Sequence, residues 1–149
     1  MYKQLTSLFL LLLTFAAPLQ AEDEFLRPDE AFLISAAAVG QDTVRVSWQI
    51  ADGYYLYQSK FRFSAENPQF TFGEPRLPEA IEKNDPVFGL VQIYRNQVSI
   101  DVPIESAPAG ADLVTFKARS QGCADKGICY PPHTQTILVA LNPLADAPA

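Results

Sequence analysis

Thr43-Val44-Arg45-Val46-Ser47-Trp48-Gln49-Ile50 is the stretch on which the fold reading turns. Val44, Val46, Trp48 and Ile50 alternate with Arg45, Ser47 and Gln49. A period of two sends successive side chains to opposite faces of a strand, so this segment predicts a half-buried β-strand. The same period recurs on either side. After a turn at Ala51-Asp52-Gly53, Tyr54-Tyr55-Leu56-Tyr57 begins an extended stretch, and Phe61 and Phe63 alternate beyond it. Asn67-Pro68 interrupts, Phe70 and Phe72 alternate again, and residues 73–78 read as a loop. Val91 and Ile93 start a strand ending at Tyr94. Arg95-Asn96 then reads as a hairpin turn, because Val98, Ile100, Val102 and Ile104 alternate directly after it. Residues 107–110 make another turn. Val114, Phe116 and Ala118 mark a further strand, and Ile137, Val139 and Leu141 the last. Residues 80–89 lack a clear period, contain Asp85-Pro86 and read as a loop; Asp29 to Phe32 reads as a short turn or strand.

Short strands separated by turns, with no internal repeat and no amphipathic helix after the N-terminal run, predict an all-β protein of β-sandwich type. The pattern alone leaves an immunoglobulin-like sandwich and a barrel both open. Composition agrees with one compact domain: 149 residues, 48% hydrophobic, 19% charged, with 12 prolines against 7 glycines. Seventeen acidic and 11 basic side chains give a net charge of −6 and a pI near 4.6. That balance speaks against a nucleic-acid binder and gives the whole molecule no attraction to anionic lipid. A single histidine excludes a multi-histidine metal site.

The N-terminus has a different character. Lys3 precedes an apolar run from Leu8 to Ala17, Pro18 breaks it, and Leu19-Gln20-Ala21 fits a signal-peptidase site. The run is shorter than the ~20 residues of a membrane span. Residues 1–21 are therefore expected to be a cleavable signal peptide. Residues 22–141 would form the domain, with residues 22–28 as an arm leading into it. Residues 142–149, rich in proline and alanine, would be a tail or the start of a linker.

Export sets how the two cysteines read. In Ser120-Gln121-Gly122-Cys123-Ala124-Asp125-Lys126-Gly127-Ile128-Cys129-Tyr130-Pro131-Pro132, Cys123 and Cys129 flank five residues whose composition suits a hairpin tip. Two cysteines on adjoining arms lie within reach of a disulfide, and an oxidising compartment favours one. The residues alone leave three uses open. A structural staple closing so small a loop would stabilise the fold by only about 2 kcal/mol. A small-loop disulfide at an exposed tip is open to an attacking thiolate, as exchange chemistry requires. A metal site would have Cys123, Cys129 and His133 at most, a spacing that matches no zinc signature.

The segment from Gln121 to Pro132 resembles the redox segment of the DsbD family, the N-terminal periplasmic domain of thiol:disulfide interchange proteins. Trp48-Gln49-Ile50-Ala51-Asp52-Gly53-Tyr54-Tyr55-Leu56-Tyr57 resembles a second stretch of that family, and Phe88-Gly89 followed by Ile93-Tyr94-Arg95 a third. The similarity runs from about Phe25 to Leu141. It implies an immunoglobulin-like sandwich with a redox hairpin and a cap loop at one end. It also implies a shuttle that takes two electrons from a thioredoxin-like donor and passes them to oxidised thioredoxin-like acceptors. Such acceptors include disulfide isomerases and cytochrome-c maturation thioredoxins.

By this resemblance Cys129 forms the intermolecular mixed disulfides and Cys123 resolves them. Tyr55 and Tyr57, two residues apart and so on one face, lie against the hairpin. Lys126 would favour a thiolate and Asp125 oppose one. The cap loop corresponds to Asn84-Asp85-Pro86-Val87-Phe88-Gly89. Asp85 matches the family, whereas Pro86 and Val87 stand where the family has an acidic residue and an aromatic cap. The aromatic here is Phe88, leaving the capping to Phe88 or, less completely, to Val87. His133 reads as a surface residue rather than a base for Cys129, and Trp48 as a core residue. Nothing resembles a nicotinamide or flavin site, so no cofactor is expected and the electrons travel on two sulfurs. Members of the family continue into a multi-helix membrane domain and a thioredoxin-like domain, so these residues do not specify the electron donor. The rival reading from a different class is a non-catalytic immunoglobulin-like binding module with a structural disulfide.

Overall fold

The computed structural model describes residues 25–141; the expected signal segment and the Pro/Ala-rich end lie outside the described residues. The first element among the described residues is a helical turn, α1 (Pro28–Ala31), which has proline in its first turn, where the missing N–H costs nothing. Eleven strands follow: β1 (Phe32–Val39), β2 (Thr43–Ile50), β3 (Tyr54–Tyr57), β4 (Arg62–Ala65), β5 (Thr71–Phe72), β6 (Ile81–Asp85), β7 (Gly89–Tyr94), β8 (Gln97–Ser106), β9 (Leu113–Ser120), β10 (Gly122–Ala124) and β11 (His133–Ala140). A single 3-10 turn, Gln58–Lys60, separates β3 from β4. Among the described residues no helix is long and apolar enough to cross a membrane.

The strands form an immunoglobulin-like sandwich. One antiparallel sheet has the order β1-β2-β8-β5. Two further sheets, the three-stranded β11-β9-β4 and the four-stranded β10-β3-β7-β6, are joined where β9 runs on into β10 and β3 leads through the 3-10 turn into β4. The Tyr57 N–H donates to the Gln121 carbonyl at 3.0 Å at that join.

The alternation read from the sequence becomes the core. Val44, Val46, Trp48 and Ile50 of β2 and Val98, Ile100 and Val102 of β8 pack with Val114, Phe116 and Ala118 of β9. Burying each large apolar side chain contributes on the order of 1.5–3 kcal/mol. The Trp48 indole lies 4.9 Å from the Phe61 ring, centroid to centroid.

In β3 all four residues are buried. Tyr54 and Leu56 point into this core, whereas Tyr55 and Tyr57 join a second cluster with Ile93 and Cys123, against which Val91 packs. β3 is thus covered on both faces, and the outer face of its sheet carries a cysteine.

Three segments depart from the sequence reading. Residues 80–89, read as a loop, contain β6, which pairs antiparallel with β7 from Ile81↔Ile93 to Asp85↔Gly89. Only Pro86 to Phe88 form the connecting turn. The strand lacks an apolar period because it lies at a sheet edge, and its Lys83 and Asp85 meet tyrosines rather than hydrocarbon. Arg95-Asn96 is a turn but makes no hairpin. β7 and β8 belong to different sheets, and the chain crosses between them with Asn96 at φ 63° and its carbonyl accepting from the Ile50 N–H at 2.7 Å. Finally, the strand at Phe32 extends to Val39 and pairs with β2 throughout. Its alanines, Ala36 to Ala38, are too small to give a legible period.

Gly122 is the most tightly enclosed of the seven glycines. A Cβ there would stand 2.3 Å from the Tyr55 carbonyl oxygen and 2.6 Å from Phe32 Cζ. Neither neighbour has room to yield, since one is backbone and the other a buried ring. Gly122→Ala is expected to destabilise the protein by about 2 kcal/mol, in the range of overpacked cores, as a lower urea midpoint with an unchanged slope.

Candidate active site

Cys123 is the middle residue of β10, paired in register with Tyr55 of β3. After it the chain turns through Asp125, Lys126 and Gly127, with Gly127 at φ 106°, a conformation that favours glycine. It returns with Cys129 opposite Cys123 in an isolated antiparallel bridge. The two cysteines form a disulfide with Cα atoms 4.0 Å apart. The Ala124 N–H donates to the Ile128 carbonyl and the Tyr130 N–H to the Gly122 carbonyl, closing the hairpin on both sides of the bond. The two cysteines are unequal in access: Cys123 is 0% exposed, whereas Cys129 is exposed.

The buried sulfur meets a phenol. Tyr57 Oη lies 2.9 Å from Cys123 Sγ and 4.0 Å from Cys129 Sγ. Tyr57 also donates to Asp85 Oδ2 at 2.8 Å, and Tyr55 donates to the same oxygen at 2.5 Å. The other carboxylate oxygen, Oδ1, accepts from the backbone N–H groups of Val87 at 2.8 Å and Phe88 at 3.0 Å. Asp85 therefore has four donors and is only 3% exposed.

Burial by itself would raise the Asp85 pKa. The bonds from Tyr55, Tyr57, Phe88 and Val87 outweigh it and hold the carboxyl at about 2. Burial, reinforced by the bond to Asp85, pushes Tyr55 up to about 12 and Tyr57 further in the same direction. Both phenols are protonated donors at neutral pH.

The turn after Asp85 puts its residues in different places. Phe88 packs edge-on against Tyr57, 5.2 Å between ring centroids, and Lys60 Nζ lies over the Phe88 ring, 4.7 Å from its centroid. Val87 is 62% exposed. The aromatic that covers the ring beside the buried sulfur is thus Phe88.

Of the hairpin charges, Asp125 accepts two bonds from Arg95, at 2.8 and 2.9 Å. The Arg95 bond holds its carboxyl below the ordinary value, so the negative charge at the hairpin tip is compensated. The Arg95 guanidinium and Lys83 Nζ each lie 5.2 Å from the Tyr55 ring centroid. His133 Nε2 is 2.7 Å from Asp29 Oδ1, and no sulfur is among its hydrogen-bond partners.

The sequence reading named the two cysteines, the two tyrosines, Asp85, Val87 and Phe88; the structure brings all of these into one cluster except the side chain of Val87, which is exposed. It missed Lys60, Lys83 and Arg95. Their partners lie on other strands, and no local spacing announces a cation over a ring.

Comparison with known proteins can now be set beside this geometry. The family model for the N-terminal region of the thiol:disulfide interchange protein DsbD matches residues 22–141. The chain belongs to that family. It is 37% identical over 147 residues to the thiol:disulfide interchange protein DsbD of Ralstonia nicotianae, covering 98% of this chain and 23% of the relative. It is 38% identical over 124 residues to that of Escherichia coli K12, covering 83% of this chain and 20% of the relative. The chain thus spans about a fifth to a quarter of these relatives. Among solved structures, the reduced DsbD N-terminal domain of Neisseria meningitidis superposes with a TM-score of 0.70 at 32% identity, covering 78% of this chain and 90% of that one. A complex between the DsbD and PilB N-terminal domains of the same organism matches with a TM-score of 0.62 at 34% identity, covering 78% and 88%.

The Asp85 pKa carries a stability consequence. A carboxyl depressed from 3.8 to about 2 stabilises the folded state above its unfolded pKa, and that stabilisation is lost as pH falls from about 4 to about 2. Asp85→Asn is expected to lower stability at neutral pH by about 2 kcal/mol and to flatten the stability–pH curve across that window. Denaturant unfolding of both proteins between pH 2 and 7 checks this.

Proposed function

We propose that the protein is a periplasmic thiol–disulfide exchange module working through Cys123 and Cys129. It accepts two electrons from a thioredoxin-like donor and reduces oxidised thioredoxin-like acceptors, such as disulfide isomerases and a cytochrome-c maturation thioredoxin. Residues 22–141 are its redox domain, and residues 1–21 are the signal peptide that exports it. The observation that carries the reading is the inequality of the two sulfurs, one sealed and one open, in a member of this family. The solved complex of a related domain with the PilB N-terminal domain supports docking of a partner protein.

The chemistry follows from the inequality. A donor thiolate reaches only Cys129 Sγ. It forms a mixed disulfide there, the Cys123–Cys129 bond breaks, and Cys123 leaves as a thiolate. The donor's second thiolate then attacks its own first sulfur and Cys129 leaves, so the donor ends as a disulfide and the domain as a dithiol. In the second half-cycle the Cys129 thiolate attacks an acceptor disulfide. Cys123 then attacks Cys129 Sγ, releasing the reduced acceptor and restoring the bond. Two electrons pass in each half-cycle without a bound cofactor.

Tyr57 is placed to serve the leaving group. Its hydroxyl, 2.9 Å from Cys123 Sγ, can turn its proton from Asp85 to the sulfur as negative charge develops. Asp85 then retains its other three donors. Phe88, with the turn it belongs to, covers this pair and acts as the cap; Val87 contributes at the exposed rim. Asp85 ties cap and tyrosines together, so a partner that displaces the turn also loosens the phenols around the sulfur.

The deciding experiment is mixed-disulfide trapping. Cys123→Ala, with Cys129 free, is expected to form a covalent complex with an oxidised thioredoxin-like periplasmic protein, while Cys129→Ala gives little. Absence of a complex from either folded variant would return the binding-module reading with a structural disulfide. Tyr57→Phe is expected to slow reduction of the disulfide by about tenfold, the loss of one hydrogen bond to a developing charge. Stopped-flow reduction by dithiothreitol measures it.

A further inference from the structure

Beside the hairpin, on the outer face of the β11-β9-β4 sheet, lies a basic hollow that the exchange chemistry does not use. It has a volume of about 180 Å³ and is lined by Lys60, Arg62, Arg119, Gln121 and Pro132. Arg62 and Arg119 stand directly opposite each other across the β4–β9 pair. Like charges in that position destabilise a sheet, and among the described residues neither arginine has a carboxylate partner. Among the described residues Arg62 donates to the carbonyls of Ser59 and Phe61. Lys117 lies two residues before Arg119 on the same strand face and extends the stripe. By contrast Arg27, Arg45 and Arg95 each pair with an acid. Concentrating uncompensated cations in one place is notable in a chain with 17 acidic and 11 basic side chains.

The position of the hollow says what it faces. Gln121 and Pro132 are the residues that enter and leave the hairpin segment, and Lys60 rests on Phe88 of the cap turn. Any protein whose sulfur reaches Cys129 brings its own surface over this rim. Resting on the exchange reading above, we propose that the hollow of Lys60, Arg62 and Arg119 receives an acidic side chain of the redox partner and selects partners with a carboxylate next to their reactive cysteine. An arginine fork and a lysine around a small open cavity suit a single carboxylate, which would relieve the Arg62–Arg119 opposition. The partner is thus steered by a local field opposite in sign to the net charge of the domain.

The test separates docking from chemistry. The oxidised protein is titrated with a cysteine-free decapeptide carrying four glutamates and with its glutamine counterpart, at low salt, and amide shifts are followed. The glutamate peptide is expected to bind about tenfold more tightly than the glutamine one, the scale of two charge-assisted contacts, with shifts centred on Arg62, Arg119 and Gln121. Arg62→Gln with Arg119→Gln should abolish the difference, and the double lysine variant should keep most of it. Equal binding of the two peptides, or a preference unchanged in the glutamine variant, would overturn the proposal. In a second arm the same peptides carry an activated cysteine disulfide and meet the reduced protein. The glutamate version should react faster in the wild type only, and the glutamine version equally in both proteins. A wild type that reduces neither would remove the exchange reading itself, a result distinct from loss of the acidic preference.

Discussion

A buried carboxylate must be surrounded by donors, and the architecture of the redox end follows from meeting that demand for Asp85. An unpaired charge at this depth would cost several kcal/mol or else be neutralised by a proton. Four donors meet the demand, two from β3 and two from the turn that follows Asp85 itself. Tyr55 and Tyr57 are consequently held with their hydroxyls converging, and the Tyr57 hydroxyl is brought to the buried sulfur. The turn is held down at the same time, which sets Phe88 against Tyr57. One ionised group thus fixes the phenols, the cap and, through them, the surroundings of the disulfide.

What the sequence made legible follows from where each period has its cause. β2, β8 and β9 face hydrocarbon on one side and solvent on the other, so their alternation was plain in Thr43 to Ile50 and its counterparts. β6 faces the polar cluster around Asp85 and has a neighbour on one side only, so Ile81 to Asp85 carried no such signal. The change of sheet at Arg95-Asn96 was invisible, because strands joined by two residues look alike whether they pair with each other or diverge. At the site, the cysteines and tyrosines could be named from their segments. The burial of Asp85 could not, since it depends on β3 and the hairpin meeting a residue some 30 to 40 positions away in sequence. The same holds for the Arg95–Asp125 pair, which spans 30 residues.

The cations around this end form a pattern only in three dimensions. Lys83 and Arg95 lie over Tyr55 and Lys60 over Phe88, so the rings of the cluster are roofed by positive charge. Arg62 and Arg119 continue the basic surface away from the hairpin. The overall charge of −6 would have suggested the opposite. The field a partner meets at short range is set by these few groups, because charges farther than about 10 Å are largely screened at ordinary ionic strength.

The disulfide sits on the far side of β3 from the sandwich core, in a cluster that shares the strand but none of the core's buried side chains. It links residues only six apart, and neither cysteine belongs to the packing around Trp48 and Phe116. The sandwich therefore serves as an inert chassis. In the proposed exchange, structural adjustment would be confined to the hairpin and the small cluster around it.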